Sequence, residues 1–374
     1  MRRSKAQQEI EKVLQASDVR VNGDRPWDIQ VHNPDFYARV FYRGSMGLGE
    51  SYMDGWWDSP ALDQFFYKIL DNQLDAKVRS HSIDTFWDVL KANVSNLQNR
   101  SRAYLIGKKH YDIGNDLFAL MLDQRLNYSC GYWKNAATLD QAQEQKLDLI
   151  CRKMNLKPGM SVLDIGCGWG GFSKYAAQQY GVRVRGITVS GEQARFATQS
   201  CQGLDVSVDL MDYRDLNEEF DRVVSIGMFE HVGSKNYRTY MQVVQRCLRP
   251  GGLFLLHTIA TNSTLKVVDP WIRKYIFPNS MLPSARHIVT ASDGIFVVED
   301  WHSIGQHYDP TLMAWYKNFS AAWPKLKDHY GDRFYRMWCY YLLACAGSFR
   351  ARSNQVWQIV FSEKGILDGL QYRT

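Results

Sequence analysis

Ten consecutive residues, Val162-Leu163-Asp164-Ile165-Gly166-Cys167-Gly168-Trp169-Gly170-Gly171, constrain this chain more than any other stretch. A short apolar run carries an acid and passes directly into a turn with four glycines. Such a run reads as a β-strand, and the turn as the start of a helix. Glycines there let the backbone approach a ligand closely, as at nucleotide sites on parallel sheets. Taken alone the turn has a plainer reading, a tight strand–helix connection. Its context decides between the two.

From Ser161 onward strand-like and helix-like segments alternate, which predicts an α/β sheet. The strand candidates are 161–165, 183–188, 205–210, 220–226, 253–259, 295–301 and 356–362. Just upstream, Thr138 is a helix N-cap with Gln141 as its capping-box partner. Leu147, Ile150, Cys151 and Met154 form one apolar face, and Pro158-Gly159 ends the helix. Residues 1–91 read as a small helical unit. Leu62, Phe65, Phe66, Ile69 and Leu70 follow helical spacing, and so do Ile83, Phe86, Trp87, Leu90, Val94 and Leu97, the last two past the end of that unit. A Gly- and Trp-rich stretch, 44–57, lies between these and the first helix. Residues 92–103 read as a linker and 104–374 as a second domain.

Composition adds limits. Aromatic residues make up 13 % of 374. Many crowd the inserts 260–290 and 302–355, among them Trp315, Tyr316, Phe319, Trp323, Tyr330, Phe334, Tyr335, Trp338, Tyr340 and Tyr341. Aromatics at helical spacing serve as core or as the wall of an apolar tunnel; their number favours the tunnel. Seven cysteines without Cys-x-x-Cys or zinc spacing predict reduced thiols in the cytoplasm and no metal site. The net charge of +6 permits an anionic surface and does not call for nucleic acid. No apolar run approaches the roughly 20 residues that span a bilayer, so membrane contact is expected to be peripheral.

The glycine turn, in the form Asp-x-Gly-x-Gly-x-Gly-Gly, resembles motif I of class I methyltransferases. Those enzymes usually end their second strand on an acid that holds the ribose; here Thr188 and Gln193 stand instead. Asp212-Tyr213-Arg214 suits an adenine site. Three further runs, with the glycine turn itself, make the resemblance specific: Tyr128-Ser129-Cys130-Gly131-Tyr132-Trp133, Gly227-Met228-Phe229-Glu230-His231-Val232-Gly233 and Leu256-His257-Thr258-Ile259. Together they resemble the cyclopropane-fatty-acyl-phospholipid synthases nearly end to end. Residues 47–57 add an N-terminal unit that the related mycolic-acid enzymes lack.

The resemblance implies a Rossmann-like, seven-stranded sheet with helical lipid-binding inserts and a small helical N-terminal domain. It implies S-adenosylmethionine bound by Tyr128, Ser129, Asp164, Gly166, Cys167, Gly168, Thr188, Gln193, Asp212, Tyr213 and Arg214. It also implies a homodimer, peripheral on the inner face of the membrane, acting on unsaturated phospholipid. Bicarbonate would be held by Cys130, Glu230, His257, the Ile259 backbone and Tyr308, with Glu299 supporting His257 or Tyr308. Each has a bland alternative: a solvated Glu230, a satisfied core His257, a small buried Cys130, a surface Tyr308. Cys345 matches the position once regarded as the family's nucleophile. Alkylating an alkene needs no covalent enzyme intermediate, and an apolar helix raises a thiol's pKa; a buried cysteine, lining the acyl tunnel at most, is expected.

Arg100, Arg102, Lys108, Lys109 and His110 form either a solvated face or a headgroup contact, each charge worth about 1 kcal/mol at an anionic surface. Three rival functions stay open: C-methylation of a lipid without ring closure, methylation of a small molecule, and non-catalytic lipid binding on the same scaffold.

Overall fold

A computed structural model describes residues 4–71, 114–264 and 268–370. By contact the chain divides into two units: 1–95 with 266–278 and 308–354, and 96–265 with 279–307 and 355–374. Both aromatic inserts therefore contribute helices to the smaller, helical unit. The helix expected on Ile83 to Leu97, the linker 92–103 and the cations Arg100, Arg102, Lys108, Lys109 and His110 lie outside the described residues.

Numbered along the chain, the strands are β1 (Gln30–Val31), β2 (Trp57–Asp58), β3 (Ser161–Ile165), β4 (Arg183–Thr188), β5 (Val206–Leu210), β6 (Phe220–Ile226), β7 (Leu248–Thr261), β8 (Val297–Ser303) and β9 (Asn354–Ser362). The last seven form one sheet in the order β5-β4-β3-β6-β7-β9-β8. Neighbours from β3 to β7 pair in parallel, and β8 runs antiparallel to β9. This is the seven-stranded, Rossmann-like sheet expected from the sequence.

Alternation along the strands divides the core between the two faces. Val162, Val184, Val224, Leu253, Leu255 and Val360 join one cluster with Leu147, Ile150, Cys151 and Met154. Leu163, Ile165, Phe254, Leu256, Ile359 and Phe361 join the other. The helix Leu139–Lys153 supplies the first cluster's cover. Its cap forms with one change: Gln141 N donates to Thr138 Oγ1 at 3.3 Å, while Gln141 Oε1 accepts from Ala137 N at 2.9 Å, one residue before the cap. The helix also stops earlier than expected. Asn155 turns left-handed at φ 46°, and Asn tolerates that conformation, so the turn precedes Pro158.

In the smaller unit, most of the Gly-rich stretch is helical, within Asp35–Met53, broken only at Gly44. Helical glycine is usually unfavourable; close packing explains it. A Cβ at Gly47 would lie 2.2 Å from the Arg39 carbonyl oxygen, and one at Gly49 would lie 2.4 Å from the Trp271 ring. Glu50 follows, buried. It accepts from Lys274 Nζ (2.7 Å), Tyr275 OH (2.9 Å) and Arg43 Nη1 (2.6 Å). Despite burial these partners hold it at about 2.

The aromatic surplus serves first as this unit's core, which corrects the tunnel expectation. Trp315, Phe319 and Trp338 are fully buried, and Tyr340 and Tyr341 nearly so. Tyr340 meets Trp271 at 4.4 Å, Phe66 at 5.1 Å and Tyr52 at 5.6 Å. It sits on the helix Asp332–Arg350, which packs on the helix Leu62–Asp71 so closely that a Cβ at Gly347 would lie 2.6 Å from the Asp63 carbonyl.

A methyl group at position 47 has backbone on its path and nowhere to go. Gly47→Ala is expected to destabilise the protein by about 1–3 kcal/mol in urea unfolding, despite its better helix propensity. Gly191→Ala, where the added Cβ meets nothing within 4 Å, should change stability by less than about 0.5 kcal/mol.

Candidate active site

β3 ends at Ile165 and the chain turns at once. Gly166, Gly168 and Gly170 have φ of +84°, +55° and +82°, where any side chain is strained. At Gly166 a Cβ would also lie 2.7 Å from the Met228 side chain. The helix Gly171–Tyr180 follows. The ends of β4, β5 and β6 arrive beside this turn, at the point where connections from β3 and β6 leave in opposite directions. In such sheets ligands bind there, beyond the carboxyl ends of the strands. All the residues assigned to S-adenosylmethionine line one cavity at this place: Tyr128, Ser129, Asp164, Gly166, Cys167, Gly168, Thr188, Gln193, Asp212, Tyr213 and Arg214.

The polar wall is ordered. Thr188 Oγ1 accepts from Ser190 N at 3.2 Å and donates to Gln193 Oε1 at 2.9 Å. The pair that replaces the usual acid is thus hydrogen-bonded to itself, with Gln193 oriented by Thr188. Asp212 is closed by Arg214, whose Nε and Nη2 reach its two oxygens at 2.7 and 2.6 Å. Asp164 Oδ2 accepts from Ser173 Oγ at 2.8 Å, and burial pushes Asp164 up to about 7. Sequence reasoning missed Lys146, which lines the cavity and is buried. Its signal was legible: a lysine on the face otherwise formed by Leu147, Ile150 and Met154. His231, noted only within its motif, also lines the cavity, and burial lowers it to about 4.

A second group gathers at the end of β7. Ile226 of β6 is paired with His257 of β7, and beyond that point β6 has ended. Glu230 takes over its place: Ile259 N donates to Glu230 Oε1 at 2.6 Å. The amide expected to hold an anion is therefore engaged by the carboxylate. Glu230 Oε2 is buried with no hydrogen-bond partner among the described residues. Burial pushes Glu230 up to about 7, against the opposing Ile259 amide. His257 is buried, and Gln358 Nε2 donates to its Nδ1 at 3.3 Å. Which ring nitrogen carries the proton follows from the orientation of the Gln358 amide. Burial, then the charges of Lys146 and Lys153, hold His257 well below its ordinary pKa. Lys153 is itself fully buried and paired with Asp300 at 3.0 Å. Cys130 is buried, its Sγ 3.3 Å from the Gly131 carbonyl and 3.9 Å from that of Ile304.

Two assignments change. Glu299 does not support His257: its Oε1 accepts from Ser362 Oγ and from Ile366 N, so it fastens the end of β9. The residue at His257 is Gln358, which two alternating positions on a distant strand gave no reason to single out. Cys345, on the helix Asp332–Arg350, keeps a small exposed fraction as a residue, but its thiol is enclosed and burial pushes it up to about 12, which removes it from the catalytic set. Tyr308 opens the helix Tyr308–Tyr330 and is buried against Phe349 and Trp315, with ring centroids 4.6 and 5.8 Å away. Tyr308 and Cys345 belong to the smaller unit and the other assigned residues to the larger.

Residues 98–359 match the family described as mycolic acid cyclopropane synthetase. The cyclopropane-fatty-acyl-phospholipid synthase of Escherichia coli (strain K12) is 56 % identical over 360 residues, 96 % of this chain and 94 % of that one. The tuberculostearic acid methyltransferase UfaA1 of Mycobacterium tuberculosis is 34 % identical, over 90 % of this chain and 83 % of its own. The crystal structure of mycolic acid cyclopropane synthase CmaA1 complexed with SAH and CTAB superposes with a TM-score of 0.65. It is 32 % identical and covers 69 % of this chain and 97 % of that one.

Glu230 has a measurable signature. Unfolded, it ionises near 4.5; folded, near 7. Folding therefore takes up a proton between these values, and stability falls as pH rises through that window. The penalty above pH 7 is on the order of 3 kcal/mol. Glu230→Gln keeps the acceptor for Ile259 N and removes the ionisation. In degassed, bicarbonate-free buffer its gain in unfolding midpoint over wild type should be large at pH 8.5 and small at pH 4.

Proposed function

The chain belongs to the mycolic acid cyclopropane synthetase family, and from that premise we propose how its residues divide one reaction between them. It is an S-adenosylmethionine-dependent cyclopropane-fatty-acyl-phospholipid synthase, which adds a methylene across a cis double bond of an unsaturated acyl chain. The observation that carries this is the 56 % identity along 96 % of the chain to such an enzyme.

The cavity at the glycine turn takes S-adenosylmethionine. Its fit rests on the left-handed Gly166, where a side chain would collide with Met228, and on the aligned polar groups of β3, β4 and β5. The alkene is a poor nucleophile, so the enzyme's first task is to hold the two reactants in line and close together. The alkene π electrons then bond to the sulfonium methyl as its C–S bond breaks. The cation left on the acyl chain must be kept from water until the transferred carbon loses a proton and the ring closes.

The residues at the end of β7 suit that last proton. The buried, unpartnered Glu230 Oε2 is an acceptor for an acidic hydroxyl, and the neutral His257 carries one ring N–H that can donate. Such a pair fits bicarbonate, which has both a hydroxyl and anionic oxygens. Held there, bicarbonate would supply the base for the transferred methyl group. Cys130 completes the set in the larger unit, and the family resemblance assigns Tyr308 to it; the Ile259 amide, which donates to Glu230, orients that carboxylate. Gln358 holds the His257 ring through a hydrogen bond to Nδ1. Cys345 takes no chemical step, since its thiol is kept protonated. Among the described residues no helix is long and apolar enough to cross a membrane. The positive net charge suits the lipid being met at an anionic bilayer surface on the cytoplasmic side, and the family resemblance alone implies a homodimer.

Labelled S-adenosylmethionine and vesicles of monounsaturated phospholipid test the reaction. The expected acyl product is heavier by one methylene and resists hydrogenation. A methyl-branched product would favour methylation without closure, and unlabelled lipid would refute lipid alkylation altogether. Glu230→Ala should lower turnover about 10²–10⁴-fold, and Tyr308→Phe about tenfold, with S-adenosylmethionine binding retained in both. Loss of binding would contradict these assignments.

A further inference from the structure

We propose that Lys146 binds the carboxylate of the co-substrate's amino-acid arm and so discriminates for ligands that carry it. The inference rests on the cavity taking S-adenosylmethionine.

Lys146 is a fully buried cation in the cavity wall, and no step of the reaction above uses it. Its Nζ donates to Asn127 Oδ1 at 3.3 Å and to Ser129 Oγ at 3.1 Å. Both acceptors are neutral, and no third acceptor reaches it among the described residues. A buried ammonium without a hydrogen-bonded counter-ion is costly, by several kcal/mol in real proteins. The acids whose charges reach it are not hydrogen-bonded to it. Asp123 is taken up by Asn127, whose N and Nδ2 donate to it at 2.7 and 2.8 Å. Asp164 is bonded to Ser173 instead. Burial accordingly pulls Lys146 down to about 8, against the charges of Asp123 and Asp164. An anion beside it would hold it charged.

The amino-acid arm of S-adenosylmethionine carries one carboxylate and one ammonium. Lys146 and Asp164 are a buried cation and a buried acid on one cavity wall, not bonded to each other, so both charges stay open to a zwitterion. The wall's other such pair, Arg214 and Asp212, is closed on itself through two hydrogen bonds. Ser129 adds specificity. Its oxygen accepts from Lys146, so its own hydrogen is left to donate to the same carboxylate.

Isothermal titration of the full-length protein with three ligands tests this. S-adenosylhomocysteine has the whole arm, its decarboxylated analogue keeps only the ammonium, and 5′-methylthioadenosine lacks both charged groups. Wild type should bind S-adenosylhomocysteine at least tenfold more tightly than the decarboxylated analogue. Lys146→Met should lose at least tenfold for S-adenosylhomocysteine and less than twofold for 5′-methylthioadenosine. Lys146→Arg should recover part of the loss. Equal loss for both ligands would mean a merely structural role and overturn the proposal. So would equal wild-type affinity for S-adenosylhomocysteine and the decarboxylated analogue, a comparison that needs no variant to fold. Failure of wild type to bind S-adenosylhomocysteine would instead overturn the reading of the cavity itself.

Discussion

The structure of the larger unit depends on one backbone constraint: β3 must end abruptly, at the place where its neighbours diverge. Gly166 makes the stop possible, because its φ of +84° and the Met228 side chain leave no room for a Cβ. The strand's last side chains then serve two masters. Leu163 and Ile165 stay in the core, while Asp164, pointing the other way, carries an acid into the wall of the cavity. Most other cavity residues arrive on the ends of neighbouring strands, the loops after them or the first turns of the following helices, while Lys146 comes from within the helix Leu139–Lys153.

Around the stop, the fold gathers more buried ionisable groups than a core of this kind tolerates without purpose. Asp164, Glu230, Lys146 and His257 are all removed from water, and each is shifted toward its neutral form chiefly by burial. Evenly poised groups of this kind are characteristic of sites that handle charge. Lys153 differs: it is paired with a buried carboxylate, that of Asp300. The helix Leu139–Lys153 thus carries a purely packing face and an electrostatic one, interleaved along the same stripe.

Much of this was legible in the chain. Strand positions followed from period-two apolar runs with short crossovers, and the expected 161–165, 183–188 and 220–226 match the observed strands. The cavity residues were legible because motifs keep them close in sequence. Partners set by tertiary pairing were not. Gln358 meets His257 only because β9 inserts between β7 and β8, and Glu299 was misassigned for the same reason. The helix through Gly47 and Gly49 was not legible, since the reason for glycine there is a carbonyl and a Trp ring that local sequence does not display. Aromatic surplus was read as a tunnel because composition cannot say which side chains face one another.

The smaller unit is assembled from segments far apart along the chain, and that has a consequence in time. Phe66 and its helix find Tyr340 and Gly347 only after roughly 270 further residues have been made. At about 5–20 residues per second, the first helices wait on the order of tens of seconds for the partners that complete their core. Meanwhile the sheet-forming segments emerge and can close on one another. The newborn chain therefore carries an unfinished apolar face through most of its synthesis, and its yield in the cell depends on what shelters that face during the wait.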